Sequence, residues 1–229
     1  MDRPALSITI PALNEGANIG ATIDALKKKD IPSRFEIIVV DGGSQDSTRK
    51  EATSRGALVI ESEPGRGNQL VAGSMKATGA WLLFLHGDTR LAPGWYGEAE
   101  GFMSDEANFR RAAVFSFKLD DDTPAASLLQ GIVNWRTRIL SLPYGDQGLL
   151  MSRDFYHDLN GYAAIAIMED VEIIRRIGRN RLHVFKTHAI TSADKYRRDG
   201  YLFRPLKNIF CLSLYFLGLP NSLIAKIYR

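Results

Sequence analysis

One cysteine in 229 residues, Cys211, is the chain's first scarcity. A lone thiol can neither close an internal disulfide nor build a cysteine-based metal site, and it fits a reducing compartment. Long hydrophobic runs are missing as well. The most apolar stretch, 201–219, is interrupted by Arg204, Pro205, Lys207 and Asn208, and is too short and too polar to cross a bilayer. Met1-Asp2-Arg3-Pro4 leads straight into an apolar strand, so no secretory leader is expected. These absences place the expected location in the cytoplasm. The common nucleotide signatures are absent too. No G-x-G-x-x-G follows the first strand and no G-x-x-x-x-G-K-[ST] loop occurs, which removes the usual dinucleotide and triphosphate readings. No nucleic-acid-binding motif is found, so nucleic acid is not an expected partner.

What is present is an ordinary globular balance with an uneven charge. Hydrophobic residues make up 45% and charged residues 24%, which suits one large α/β domain with a helical appendage. Residues 1–170 carry 17 Lys and Arg against 23 Asp and Glu, whereas residues 171–229 carry 12 against 3. A basic tail of this kind fits a solvated face, an anionic membrane surface or a phosphate-bearing ligand.

Apolar periodicity predicts strands at Leu6–Ile10, Phe35–Val40, Ala57–Ile60 and Ala80–Leu85. Helices are expected between them at Ala17–Lys28, Ser47–Arg55 and Gly67–Ala77, the last two closed by Gly56 and Gly79. Such alternation implies a mostly parallel, doubly wound sheet with right-handed crossovers. Further on, helices are expected at Gly94–Ser104, Ala125–Leu140 and Glu169–Arg179, with strands at Ala113–Leu119, Leu149–Met151 and Leu182–Lys186. Residues 1–200 read as the main domain. The segment 201–229 reads as a helical addition whose apolar part, 201–219, packs on the domain, forms an oligomer interface or lies in a membrane surface.

Polar clusters fall at the carboxyl ends of the expected parallel strands, where open α/β sheets bind their ligands. Strand one ends in Pro11-Ala12-Leu13-Asn14-Glu15-Gly16, and strand two in Asp41-Gly42-Gly43-Ser44-Gln45-Asp46-Ser47-Thr48. Asp41, ending a buried strand, must accept hydrogen bonds from the backbone or from a ligand such as a base. The fourth strand runs through Leu82–Leu85 into His86-Gly87-Asp88, with two polar groups aimed the same way and no side chain between them. Arg66 opens a helix, where charge and helix end both favour an anion. The triplet Asp120-Asp121-Asp122 precedes Thr123-Pro124 and reads as an exposed turn capping the next helix rather than as a metal site.

The run 8–15, the run 38–48, Gly65-Arg66-Gly67-x-Gln69, Leu85-His86-Gly87-Asp88-Thr89, Gly145-Asp146-Gln147 and Met168-Glu169-Asp170 together resemble, in order and spacing, the GT-A glycosyltransferases of family 2. They are similar to a bacterial branch in which His-x-Asp replaces the usual Asp-x-Asp. The resemblance implies a GT-A fold and inverting transfer of a sugar from a UDP- or GDP-sugar to an acceptor hydroxyl. It implies that Pro11, Ala12, Asn14, Glu15, Asp41, Gly43 and Ser44 hold the nucleoside, with Arg66, Gln69, His86 and Gly87 beside the same pocket. Asp88 would coordinate Mg²⁺ or Mn²⁺, and His86, if it joins, would favour Mn²⁺. His86 could instead hydrogen-bond a phosphate or pack at the strand end without a ligand.

Asp170 is expected as the general base, with Glu169 orienting it or, as second choice, taking its place. Tyr144, Asp146 and Gln147 are assigned to the acceptor or the sugar, and Lys195 and Arg197 to the diphosphate. The acceptor itself is not legible, although an apolar, basic C-terminus suits one carried by a lipid at the inner face of the cell membrane. Two other readings stay open. A non-catalytic scaffold would keep the sheet but has no need of Asp41, Asp88 and Asp170 together. A nucleotidyltransferase would want a basic, glycine-rich loop after strand one, and Pro11–Gly16 has no Lys or Arg.

Overall fold

The computed structural model describes residues 5–27, 35–165 and 167–228. Met1–Pro4, and Lys28 as the expected end of the first helix, lie outside them. The chain opens as expected: β1 (Leu6–Ala12), α1 (Ile19–Leu26), β2 (Phe35–Asp41), α2 (Thr48–Ser54), β3 (Leu58–Glu61), α3 (Arg66–Lys76) and β4 (Trp81–Phe84). There follow β5 (Thr89–Leu91), α4 (Trp95–Ser104), β6 (Ala112–Leu119), α5 (Pro124–Leu140), β7 (Leu149–Ser152), α6 (Arg153–Asp158), α7 (Glu169–Ile177) and β8 (Leu182–Thr191). Three helices finish the chain: α8 (Asp194–Asp199), α9 (Phe203–Phe216) and α10 (Asn221–Tyr228).

The strands form one sheet in the order β3-β2-β1-β4-β7-β6-β8-β5. Its first half, β3 to β4, is parallel, as the strand–helix alternation requires. The second half is mixed. β7 runs antiparallel to both β4 and β6, β8 is parallel to β6, and β5 is antiparallel to β8. Alternation along β4 explains how one short strand anchors two layers. Leu83 and Leu85 join Ile8, Ile10 and Trp95 on one face, whereas Leu82 and Phe84 join Val40, Leu70 and Ile173 on the other. The strand is buried on both faces, and its end lies between β1 and β7.

Glycines set the close approaches that shape this end of the sheet. A Cβ on Gly73 would run into the Thr9 side chain, so α3 lies directly on β1. Gly56 ends α2 with φ +70°, as expected of a left-handed helix stop. Gly79 does a different job from the helix stop expected of it. Its φ is not left-handed; a Cβ there would stand 2.7 Å from the Ser7 nitrogen, and its N–H donates to Ser7 Oγ. The aspartate triplet also differs in detail from an exposed cap. Thr123 caps α5 by accepting from Ala126 N–H, while Asp121 is tied to Thr123 N–H, Arg197 and Tyr201. Asp120 accepts from Ala193 N–H. Asp120 and Asp121 fasten the start of α8 to the end of β6. Among the described residues no helix is long and apolar enough to cross a membrane.

Candidate active site

The loops after β1 and β2 are stitched together by side chains of the second. Asn14 N–H donates to Ser44 Oγ, Glu15 N–H to Thr48 Oγ1, and Gly16 N–H to Asp46 Oδ2. In return Asn14 Oδ1 accepts from Gln45 N–H, with Asn14 held at φ +54°, a conformation asparagine tolerates better than most residues. Asp41 is fully buried and accepts from Gly43 and Ser44 N–H and from Arg49 Nε at 2.8 Å. Burial alone would raise its carboxyl; these donors outweigh it and hold the group ionised below its ordinary range. Gln69 lies under the same loops, its amide donating to the carbonyls of Ala12 and Val40 at 2.8 Å each. Its donor side is spent on holding β1 and β2 together.

The end of β4 delivers His86 and Asp88 into one pocket, together with Arg66, Tyr144, Asp146, Asp170 and Lys195. Lys195 Nζ stands 2.8 Å from Asp88 Oδ2 and 3.8 Å from Glu15 Oε1. Burial pushes the Asp88 carboxyl up, but Lys195 and Arg66 more than compensate, so Asp88 is ionised at neutral pH. Burial, reinforced by Arg66 and Lys195, lowers His86 to about 3 against the opposing pull of Asp88. The imidazole is therefore neutral and keeps a lone pair. Burial and the nearby Asp88 raise the Glu15 carboxyl.

The facing wall is the start of α7 and the loop before β7. Met168, at φ +66°, turns the chain into α7 and sets Glu169 and Asp170 at the positive end of the helix. The two acids diverge. Asp170 faces the pocket, accepting from Gly145 N–H at 2.9 Å and from Val171 N–H at 2.8 Å. Glu169 is buried, with Arg66 Nη1 3.4 Å away, and burial with the help of Asp170 pushes it up to about 7. Asp146 is lifted to about 6, chiefly by burial, and its Oδ1 has no hydrogen-bond partner among the described residues. Gly145 has to be glycine, because a Cβ would stand 2.5 Å from His86 Nε2. The site thus has one wall that can hold a phosphate and another that can accept a proton.

Besides Gln69, two more expected residues are turned elsewhere. Gln147 is fully buried, donating to the Phe115 carbonyl and accepting from Thr137 Oγ1, so its amide braces the loop. Arg197 is committed to Asp121, Asp194 and the Asp120 carbonyl, and is not part of the pocket wall. In their place Tyr196 of α8 joins the wall, together with Arg204, Asn208 and Tyr228 of the C-terminal segment. The site therefore crosses the boundary expected at residue 200. The only sequence signal for these four is the basic, aromatic character of the segment, which does not single them out.

Eight strands in this order, with acidic and basic groups gathered beyond the ends of β1, β2 and β4, define a GT-A-type architecture. The structure overlays a mannosyltransferase from Pyrobaculum calidifontis, solved with GDP-Man and Mn²⁺, with TM-score 0.68 at 16% identity, covering 99% of this chain and 70% of that one. It overlays glucosyl-3-phosphoglycerate synthase from Mycobacterium tuberculosis, solved with Mn²⁺, UDP and its glucosylated product, with TM-score 0.62 at 20% identity, covering 95% and 81%. Residues 7–145 match the profile of Glycosyl transferase family 2, and the chain belongs to that family.

Curated relatives agree over shorter stretches. The glycosyltransferase AglE of Haloferax volcanii is 33% identical over 93 residues, 37% of this chain and 31% of its own length. A PGL/p-HBAD biosynthesis glycosyltransferase of Mycobacterium tuberculosis is 36% identical over 98 residues, 40% of this chain and 38% of its own. The matched stretches span about a third of these relatives.

Proposed function

We propose that this protein is an inverting glycosyltransferase that moves a sugar from a nucleoside-diphosphate donor, a UDP- or GDP-sugar, to an acceptor hydroxyl. One observation carries the reading: Asp88 and His86 stand beside Arg66 and Lys195 and face Asp170 across a single pocket. The loops after β1 and β2, with Asp41 as their fixed centre, hold the nucleoside. Arg66 and Lys195 meet the diphosphate, where negative charge grows as the sugar leaves.

Asp88 and His86 also suit a divalent ion, which is consistent with the Mn²⁺ held by the two structural neighbours named above. No group of three or more His, Cys, Asp or Glu able to hold a metal occurs among the described residues. Asp88 and His86 would hold such an ion, and the imidazole would favour Mn²⁺ over Mg²⁺. Such an ion supplies charge neutralisation on the leaving diphosphate.

The chain's own groups account for the rest. The acceptor hydroxyl attacks C1 from the face opposite the diphosphate, the bond from C1 to the diphosphate oxygen breaks, and that oxygen keeps the electron pair. Asp170 takes the hydroxyl proton. Gly145 and Val171 N–H fix the orientation of its carboxylate, and Tyr144 and Asp146 border the acceptor's approach.

Thermal stabilisation by a panel of nucleoside diphosphates with and without Mn²⁺, followed by a turnover screen of nucleotide-sugars, tests the proposal. Stabilisation by UDP or GDP that deepens with Mn²⁺ supports it. No response to any nucleoside diphosphate overturns it.

A further inference from the structure

Helix α9 is amphipathic the wrong way round for a surface helix. Arg204, Asn208, Cys211 and Tyr215 follow helical spacing and form its inner face. The first two line the pocket, and Cys211 is fully buried against Met168, Val171 and Ile224. The outer face carries Phe203, Leu206, Phe210 and Leu217, which are 74%, 51%, 54% and 77% exposed. Leu223 and Ile227 of α10, packed against α9, extend the exposed apolar surface. A soluble surface helix shows the opposite polarity, and a contiguous apolar face of this kind marks a contact.

Charge identifies the partner. From residue 200 to the end the chain has no Asp or Glu. Arg204 is turned inward and paired with Asp199, which leaves Lys207 and Lys226 as the cations beside the exposed apolar face. Lys207 follows Leu206 directly, and Lys226 precedes Ile227. A second copy of the same face would set cations against cations. An anionic lipid leaflet offers apolar depth and negative charge together. At 14 residues α9 is about 21 Å long, short of the hydrocarbon core, so it lies in the surface and does not span it.

We propose that α9 and α10 dock the protein on an anionic membrane surface through Phe203, Leu206, Phe210, Leu217, Leu223 and Ile227, with Lys207 and Lys226 at the headgroups. Because the inner face of α9 is a wall of the pocket, docking sets that pocket within about a helix width of the lipid. If the transferase reading above holds, an acceptor carried in the lipid then reaches the site along α9. The docking itself does not depend on that reading.

The test is co-sedimentation of the full chain with phosphatidylglycerol–phosphatidylcholine vesicles and with pure phosphatidylcholine vesicles. Two double variants, Leu206→Glu/Phe210→Glu and Lys207→Glu/Lys226→Glu, are run beside it. The wild type is expected on the anionic vesicles. The first variant loses about tenfold or more in partitioning, and the second a similar factor on anionic lipid only. Leu206, Phe210 and Lys226 are outward. In the first variant and in Lys226→Glu alone, melting temperature and nucleoside-diphosphate binding therefore stay unchanged, separating lost docking from lost folding or a failed catalytic reading. Lys207 lies over the Tyr228 ring of the pocket wall, so Lys226→Glu alone is run as the control for the second variant.

Light scattering adds the competing occupant. Failure to bind anionic vesicles, binding indifferent to both variants, or a dimer dissolved by Leu206→Glu/Phe210→Glu overturns the proposal.

Discussion

Lys195 and Asp88, 107 residues apart in sequence, form an ion pair of 2.8 Å at the end of the fourth strand. The lysine comes from α8, which the end of β8 and the Asp120–Asp121 clasp hold over the sheet. Its ammonium occupies one oxygen of the carboxylate best suited to a divalent ion. It is also the nearest cation to that carboxylate that a diphosphate could recruit. If Asp88 holds a divalent ion as proposed, lysine and metal would compete for one oxygen, and a diphosphate drawing the lysine to itself would relieve that competition.

Lys195→Met is the direct consequence. Without the ammonium, Mn²⁺ alone is expected to bind roughly fivefold more tightly, about 1 kcal/mol for a pair whose lysine is nearly half exposed. A nucleoside diphosphate without metal is expected to bind more weakly, because its phosphates lose a cation. Calorimetry with Mn²⁺ alone and with UDP or GDP alone reads both. Opposite shifts are not produced by general damage to the fold, and unchanged Mn²⁺ affinity would remove Lys195 from this role.

Asp170→Asn separates chemistry from binding. The change keeps the shape and the start of α7 but removes the proton acceptor. Transfer is expected to fall by about 10²–10⁴, with nucleoside-diphosphate affinity close to wild type. Melting temperature drops modestly, because both Asp170 oxygens accept backbone N–H groups and the amide keeps one acceptor oxygen. Steady-state turnover with whichever donor the screen identifies is the measurement. Retention of full activity would move the base to Glu169 or Asp146, carboxyls that burial raises to about 7 and about 6.

The parallel half of the sheet was legible because β1 alternates Leu6, Ile8 and Ile10 with Ser7 and Thr9, while β2 and β4 carry the apolar runs Ile37–Val40 and Trp81–Phe84, each strand followed by turn residues. β5 was not. Three residues with Arg90 in the middle carry no readable period, and only the antiparallel pairing with Thr191, Ile190 and Ala189 makes them a strand. The same pairing carries β8 beyond Lys186 to Thr191. Helix α8, six residues of mostly charged sequence, has no apolar stripe to announce it, although it brings Lys195 into the pocket.

Motif membership was readable, but the job of each motif residue was not. Gln69 and Gln147 sit in recognisable blocks, yet both amides bond to the carbonyls of buried strands. Sequence spacing cannot distinguish an amide that meets a ligand from one that holds the loop meeting it. Arg204 and Asn208 failed to stand out for the opposite reason. They look like interruptions of an apolar run, and only the helical turn shows that they share the face turned to the site.

Gln147→Leu follows from that assignment. Replacing the amide leaves the Phe115 carbonyl and the Thr137 hydroxyl buried without their partner, at a cost of about 2 kcal/mol. Urea denaturation is expected to show that loss. Nucleoside-diphosphate affinity of the folded protein is expected to stay unchanged, since the side chain is not part of the pocket wall. A large loss of affinity with unaltered stability would return Gln147 to the ligand.

Glu169 makes stability depend on pH in a direction opposite to most carboxylates. Burial, with a smaller push from Asp170, lifts it from 4.5 to about 7 despite Arg66 nearby. A carboxyl raised by folding favours the folded state when protonated, so its contribution is full below pH 4.5 and is lost as pH rises through 7. At about 1.4 kcal/mol for each pH unit, the loss above pH 7 is on the order of 3 kcal/mol. Glu169→Gln keeps the shape of the side chain and removes the titration. The half-exposed Arg66 partner it gives up contributes little. The variant is therefore expected to match wild type near pH 4.5 and to exceed it in urea midpoint at pH 8, with the difference growing across that window. A difference that does not vary with pH would mean that Glu169 is already ionised in the folded protein and that Arg66, not burial, sets its state.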